Sequence, residues 1–161
     1  HPWHANGVST LRTLDAHAGG AALRLLVDGV PTPRGRTMTE RLAWARAHAQ
    51  DVRRVAMCEP RGHAGLRGAI LTEPGDTTAH AGVLFMDADD YHAGSVHGAM
   101  ATAALARDYG LITTGDATLR LDTAAGVVQV TTTAGDAVRT GARVSIASVP
   151  AFVARGGLAL A

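Results

Sequence analysis

Short apolar runs closed by turn residues recur along most of the chain, and only two stretches depart from that rhythm. Residues 10–15 read as a strand, followed by a flexible turn at residues 16–20 (AHAGG). Residues 23–27 are a second apolar run, stopped by Asp28-Gly29, and predict its hairpin partner. Residues 52–59, ended by Pro60, also have the length and composition of a strand. So do residues 68–72 and 82–87 (GVLFMD), which are separated by the turn Glu73-Pro74-Gly75-Asp76. Beyond Gly110 the strand pattern returns at residues 117–122, 126–132 and 143–149, between Thr/Ala/Gly turns.

The two exceptions have helical character. Thr37 is a good N-cap with Glu40 three residues on, the spacing of a capping box, and it opens a helix over residues 38–49. Its apolar positions are Met38, Leu42 and Ala45, with arginines between them, so it lies on the surface with Trp44 covering the domain. Residues 91–94 form a loop, and Ser95 then opens a second helix that runs to about Tyr109 and stops at Gly110. Its sequence, SVHGAMATAALARDY, carries Ala, Gly and Thr around nearly the whole circumference. A helix without a wide polar face is buried, and one made of small residues allows strands to approach closely on all sides. The predicted fold class is α/β (α+β), with many short strands, one surface helix and one central small-residue helix.

Composition narrows the possible chemistry. The chain has 161 residues, enough for one domain with a real core, which we place at residues 10–161 after an N-terminal extension at 1–9. All 15 basic residues are arginine, so neither a Schiff-base lysine nor a P-loop lysine exists in this chain. The net charge is +1 and the arginines are scattered, which argues against nucleic acid as a partner. No apolar run approaches the ~20 residues of a membrane-spanning helix, so no membrane partner is expected. The N-terminal HPWHANG has no apolar signal-peptide core. The one cysteine, Cys58, excludes an internal disulfide and suits a reducing, cytoplasmic location. It falls within a predicted strand and reads as a small core residue. Eight histidines form no His-x-x-x-His pair on a helix, so no metal is expected, and His80 and His92 read as solvated loop residues.

The most informative segment is Tyr91-His92-Ala93-Gly94-Ser95-Val96-His97-Gly98. It puts a hydroxyl, an imidazole and a glycine on the first turn of the central helix, where backbone N–H groups lack partners and the dipole favours an anion. Spacing alone favours Ser95 as an ordinary N-cap over a catalytic hydroxyl. The segments Glu59-Pro60-Arg61-Gly62-His63 and Leu66-Arg67-Gly68-Ala69 read as polar turns, with Arg61 and His63 more readily structural than catalytic. In residues 15–20 the glycines leave room for close backbone approach.

Taken in order, AHAGG (residues 16–20), GRTMTER (35–41), EPRGH (59–63), GVLFMD (82–87) and SVHG (95–98), then LDTAAGVVQV and SVPAFV (148–153), resemble the proline racemase family. That family includes hydroxyproline 2-epimerases and trans-3-hydroxyproline dehydratases. The resemblance implies a diaminopimelate epimerase-like fold, in which two similar domains each wrap a strongly curved sheet around a central helix and hold substrate between them. Members are about twice this length, so this chain matches the N-terminal half and its second domain is a missing partner. The implied reaction is cofactor-independent, two-base proton transfer at Cα of proline or hydroxyproline. Ser95 stands where the family motif Cys-Gly-His-Gly has cysteine, and Val96 replaces its first glycine. The resemblance makes Ser95 the catalytic residue here and Val96, His97 and Gly98 the carboxylate site. His97 lies beside substrate, Arg67 forms a pocket wall that suits a hydroxylated ring, and His63 is also placed at the substrate. Two other readings are a dehydratase of trans-3-hydroxyproline and a degenerate domain that binds a carboxylate without turnover. A homodimer of two such halves is a further possibility.

Overall fold

The computed structural model describes residues 10–132 and 143–150. The proposed extension at 1–9, and residues 151–153 of the SVPAFV segment, lie outside the described residues. Strands β1 (Arg12–Ala18) and β2 (Ala21–Asp28) form the expected hairpin. The turn is tighter than AHAGG suggested, since residues 16–18 continue β1 and only Gly19-Gly20 turn, both with positive φ. The reason is period two: Leu14, Ala16 and Ala18 all present one face to the core, so pairing continues until the glycines supply the left-handed geometry.

Helix α1 (Met38–His48) starts as predicted, with Thr37 Oγ1 accepting the Glu40 amide at 3.2 Å and the Glu40 carboxylate reaching back to the Thr37 amide. Met38, Leu42 and Ala45 are buried, and Trp44 lies half-buried against the same cluster. The expected strand at residues 52–59 is instead helix α2 (Gln50–Met57). Val52, Arg53, Ala56 and Met57 are buried, the i, i+1, i+4, i+5 stripe of a helix rather than the alternation of a strand. Burial of Arg53 breaks the usual pattern, and its guanidinium compensates by donating to the Gln50 side chain and to the carbonyls of Asp87 and Ala88. Cys58 therefore caps α2, half-buried, rather than sitting in a strand.

The remaining elements are β3 (Arg67–Thr72), β4 (Ala81–Met86), β5 (Tyr91–His92), α3 (Val96–Asp108), β6 (Thr118–Thr123), β7 (Gly126–Thr132) and β8 (Val144–Ala147). Part of the loop expected at 91–94 is thus the short strand β5. The sheet runs β1-β2-β3-β4-β6-β7-β8, with β5 added to β4. The β2/β3 and β4/β6 pairs are parallel and the others antiparallel. Helix α3 packs on β1, β2 and β3 and equally on β6, β7 and β8. Strands at both ends of the sheet can touch one helix only if the sheet curls strongly around it, which gives a half-barrel.

Two apolar clusters follow from this shape. One joins α3 to the inner face through Leu23, Leu25, Ala69, Val83, Phe85 and Leu105 among others. The second joins α1 and α2 to the outer face through Leu26, Ile70, Leu84 and Met86. Strand β4 is buried at all six positions because both of its faces are covered. The small side chains of α3, Ala99, Ala101, Ala103 and Ala106 among them, are buried and let the strands close in. Asp122 fastens the rim: its Oδ2 accepts the Gly75 and Asp76 amides, each at 2.8 Å.

Candidate active site

The curled sheet leaves the N-terminal end of α3 accessible. Ser95 is the N-cap, and its Oγ accepts the Gly98 amide at 3.0 Å while its carbonyl accepts the Ala99 amide. A hydroxyl that accepts in this way keeps its own proton to donate, and that proton has no acceptor among the described residues. The Gly98 amide is therefore spent inside the protein, and the open amides of the first turn are those of Val96 and His97. Gly98 is required by packing. A Cβ there would stand 2.8 Å from Ser95 Oγ and 2.9 Å from the Phe85 ring.

A cavity of about 200 Å³ opens beside this turn, walled by Ser95, Val96, Phe85, Thr123, Ser148 and Val149 among others. Residues from β4, the end of α3, β6 and the segment after β8 meet there, although up to 64 positions separate Phe85 from Val149. His97 is exposed on the first turn and Gly98 is buried beneath Ser95. Neither is part of the cavity wall, nor are Arg67 and His63. His63 is exposed in the turn after α2, with Nδ1 2.8 Å from the Ala64 carbonyl. Thr123 and Ser148 carry the polar groups that residue-by-residue reading did not single out. The only sequence signal for Ser148 was the SVPAFV resemblance.

A second polar group gathers just past the end of β4. Asp87 Oδ2 is 2.7 Å from Arg67 Nη1 and 2.7 Å from His92 Nε2, and Asp87 Oδ1 accepts the Asp89 and Asp90 amides. Burial opposes ionisation of Asp87, but these amides and His92 outweigh it and hold its carboxyl below the usual range. His92 is thus a strand residue with a carboxylate partner, not a solvated loop histidine. His80 departs from expectation in the same way. It is mostly buried, its Nδ1 accepts the Arg120 amide at 2.9 Å, and its Nε2 lies 3.1 Å from Asp116. With both nitrogens engaged, His80 ties its loop to β6 at the edge of a 390 Å³ cavity. Among the described residues no group of three His, Cys, Asp or Glu side chains could hold a metal ion.

A half-barrel with one central helix, whose N-terminus bears a hydroxyl and open amides beside a cavity, defines a domain of the epimerase type. The proline racemase family model matches residues 13–161, and the chain belongs to that family. A trans-3-hydroxy-L-proline dehydratase of Burkholderia cenocepacia is 40% identical over 103 residues, which is 64% of this chain and 31% of the relative. A 3-hydroxyproline 2-epimerase of Burkholderia multivorans is 39% identical over the same length, again 64% of this chain and 31% of the relative. The crystal structure of a hydroxyproline epimerase from Agrobacterium vitis, with bound trans-4-hydroxy-L-proline, superposes with a TM-score of 0.72 at 25% identity, covering 78% of this chain and 38% of that one. The chain spans 29% to 44% of the length of the curated relatives it matches. No helix among the described residues is long and apolar enough to cross a membrane.

Proposed function

We propose that residues 10–161 form the first domain of a cofactor-independent epimerase that moves the Cα proton of a hydroxylated proline, in the cytoplasm, with a second domain supplying the opposing acid/base group. The observation that carries this reading is the Ser95 hydroxyl, which has a proton to give and stands at a helix N-terminus beside a cavity. The open Val96 and His97 amides hold the substrate carboxylate, and the helix dipole favours that anion. Withdrawal of charge toward those amides acidifies Cα–H, and proton transfer then needs one group on each face of that carbon. A serine hydroxyl is a weak base without a neighbouring one, so Ser95 serves better as the donor and the second domain contributes the stronger base.

The test is exchange of the Cα proton in D₂O, followed by NMR with proline and with 3- and 4-hydroxyproline. The 161-residue chain alone is expected to exchange none of them, and the chain joined to its second domain to exchange a hydroxyproline. Ser95→Ala in the joined protein is expected to slow exchange at least about a hundredfold. Unchanged exchange would remove Ser95 from the chemistry. Exchange by the isolated chain would instead support pairing of two copies. The relatives named as dehydratases favour a second reading, in which the same Cα proton leaves and the ring hydroxyl departs from the adjacent carbon. Loss of the hydroxyl in the same spectra would identify that outcome.

A further inference from the structure

The cavity beside Ser95 takes the uncharged part of a ligand. Phe85, Ala99, Val128, Ile146 and Val149 give it an apolar wall, and among the described residues no charged side chain borders it. A charged group inside it would lose its water without gaining a counter-charge, so the charges of an amino acid stay at the first turn of α3. For an imino acid the uncharged part is the ring. An apolar cavity of about 150 Å³ already admits a benzene-sized ring. The 200 Å³ here leave room for a five-membered ring with one substituent.

Three residues with hydroxyl side chains border the same space, Ser95, Thr123 and Ser148. Thr123 is committed inside the protein: its Oγ1 donates to the Gly126 carbonyl at 2.7 Å and accepts the Ala125 amide at 3.2 Å. Ser95 Oγ accepts the Gly98 amide, and its proton belongs to the chemistry at Cα. Ser148 differs from both. Its hydroxyl has no hydrogen-bond partner among the described residues and keeps a donor and an acceptor open. The chain is held on either side of it. Val144 and Ile146 pack on the inner core, and Ser148 continues that row one step past β8. Val149 packs on the same core, and a Cβ at Gly126 would stand 2.9 Å from its Cγ1. A hydroxyl held in an otherwise apolar wall, open in both senses, matches a ring hydroxyl, which also donates and accepts. A ring methylene offers it nothing.

We propose that the ring of the imino acid enters this cavity and that Ser148 is a specificity-determining residue, hydrogen-bonded to the ring hydroxyl. The assignment rests on the reading of the Ser95 turn as the carboxylate site.

The test uses the 161-residue chain, labelled with ¹⁵N and with ¹³C in its Ala, Val and Ile methyl groups. It is titrated with trans-4-hydroxy-L-proline, trans-3-hydroxy-L-proline and L-proline. The Val96 and His97 amides report the carboxylate end, and the Ala99, Val128 and Ile146 methyls report the cavity. One hydroxylated ligand is expected to move both sets together and to bind about fivefold tighter than proline, the size of one net hydrogen bond. Ser148→Ala is expected to bring that ratio to about one, and Ser148→Thr, which keeps a hydroxyl, to preserve a preference. General damage to the site would weaken all three ligands alike and leave the ratio standing. Amides that move while the methyls stay still would overturn the proposal and leave the carboxylate site intact. So would a ratio near one in the native chain, or a ratio that survives Ser148→Ala. If none of the three ligands moves the amides, the imino-acid reading itself fails and the proposal with it.

Discussion

At the residue scale, the site depends on a close approach that only one side chain allows. Ser95 Oγ sits over Gly98 and accepts its amide, so the two residues are a unit. Adding a methyl at 98 drives it into both the hydroxyl and the Phe85 ring, side chains that must shift to admit it. Gly98→Ala is therefore expected to cost about 1–3 kcal/mol of stability, the usual penalty of overpacking. It should also displace the Ser95 hydroxyl. Chemical denaturation gives the first quantity and the Ser95 amide shift the second. A variant as stable as the native chain with an unmoved Ser95 would contradict this packing. Replacement of the family's glycine by Val96 has a milder consequence, because Val96 is 44% exposed and its side chain stands at the mouth of the cavity rather than inside the core.

At the scale of elements, α3 is limited by size rather than by polarity. Ala103 and Ala106 are fully buried on α3, a helix packed by strands from both sides of the curl. Ala103→Leu keeps the helix propensity and the hydrophobicity, yet it is expected to destabilise the domain by about 1–3 kcal/mol because no space exists for the added carbons. Ala104, half-buried on the same helix, accepts the same change at lower cost. Comparison of the two variants in urea separates packing from propensity, and equal costs would refute the tight-helix account. Helix α2 teaches a related lesson about reading elements. Its VRRVAMC run has strand composition, and the helical stripe becomes visible only when Arg53 is recognised as a buried residue with acceptors on the β4–β5 connection.

At the scale of the whole molecule, carboxylates held by short-range hydrogen bonds contribute to acid stability. Among the described residues, four have acidities raised by their surroundings. Glu40 is held down by the Arg36 and Thr37 amides, and Asp76 by the Thr78 hydroxyl and amide. Asp90 is held down first by the Tyr91 amide, and Asp87 by the Asp89 and Asp90 amides and His92 against the opposing effect of burial. A folded-state value below the unfolded one means that the folded state binds fewer protons, so the contribution is complete above the ordinary values of 3.8 for Asp and 4.5 for Glu. It is lost as the pH falls through the lower folded values. The urea midpoint is expected to change little on account of these groups between pH 7 and about 5 and to drop below about pH 4. Asp87→Asn should flatten part of that drop. An acid limb that starts near pH 6 would point to histidine protonation instead.

Local chemistry determined a good deal of this protein. The capping box at Thr37 and the small-residue helix from Ser95 are decided within a few residues of one another, and each forms where the sequence places it, while the turn after β1 shrinks to its two glycines. The ordered motifs further identify the family, because a site built at one helix end constrains the residues around it even when they are distant in the chain. Tertiary structure alone decided the rest. Arg53 is buried because acceptors arrive from the far end of β4, His80 and His92 are engaged because Asp116 and Asp87 come to meet them, and the cavity closes because the chain returns after β8 to lay Ser148 and Val149 beside Ser95. These are contacts between segments that share no local signal, and they exist only once a sheet curls far enough for both its ends to reach one helix.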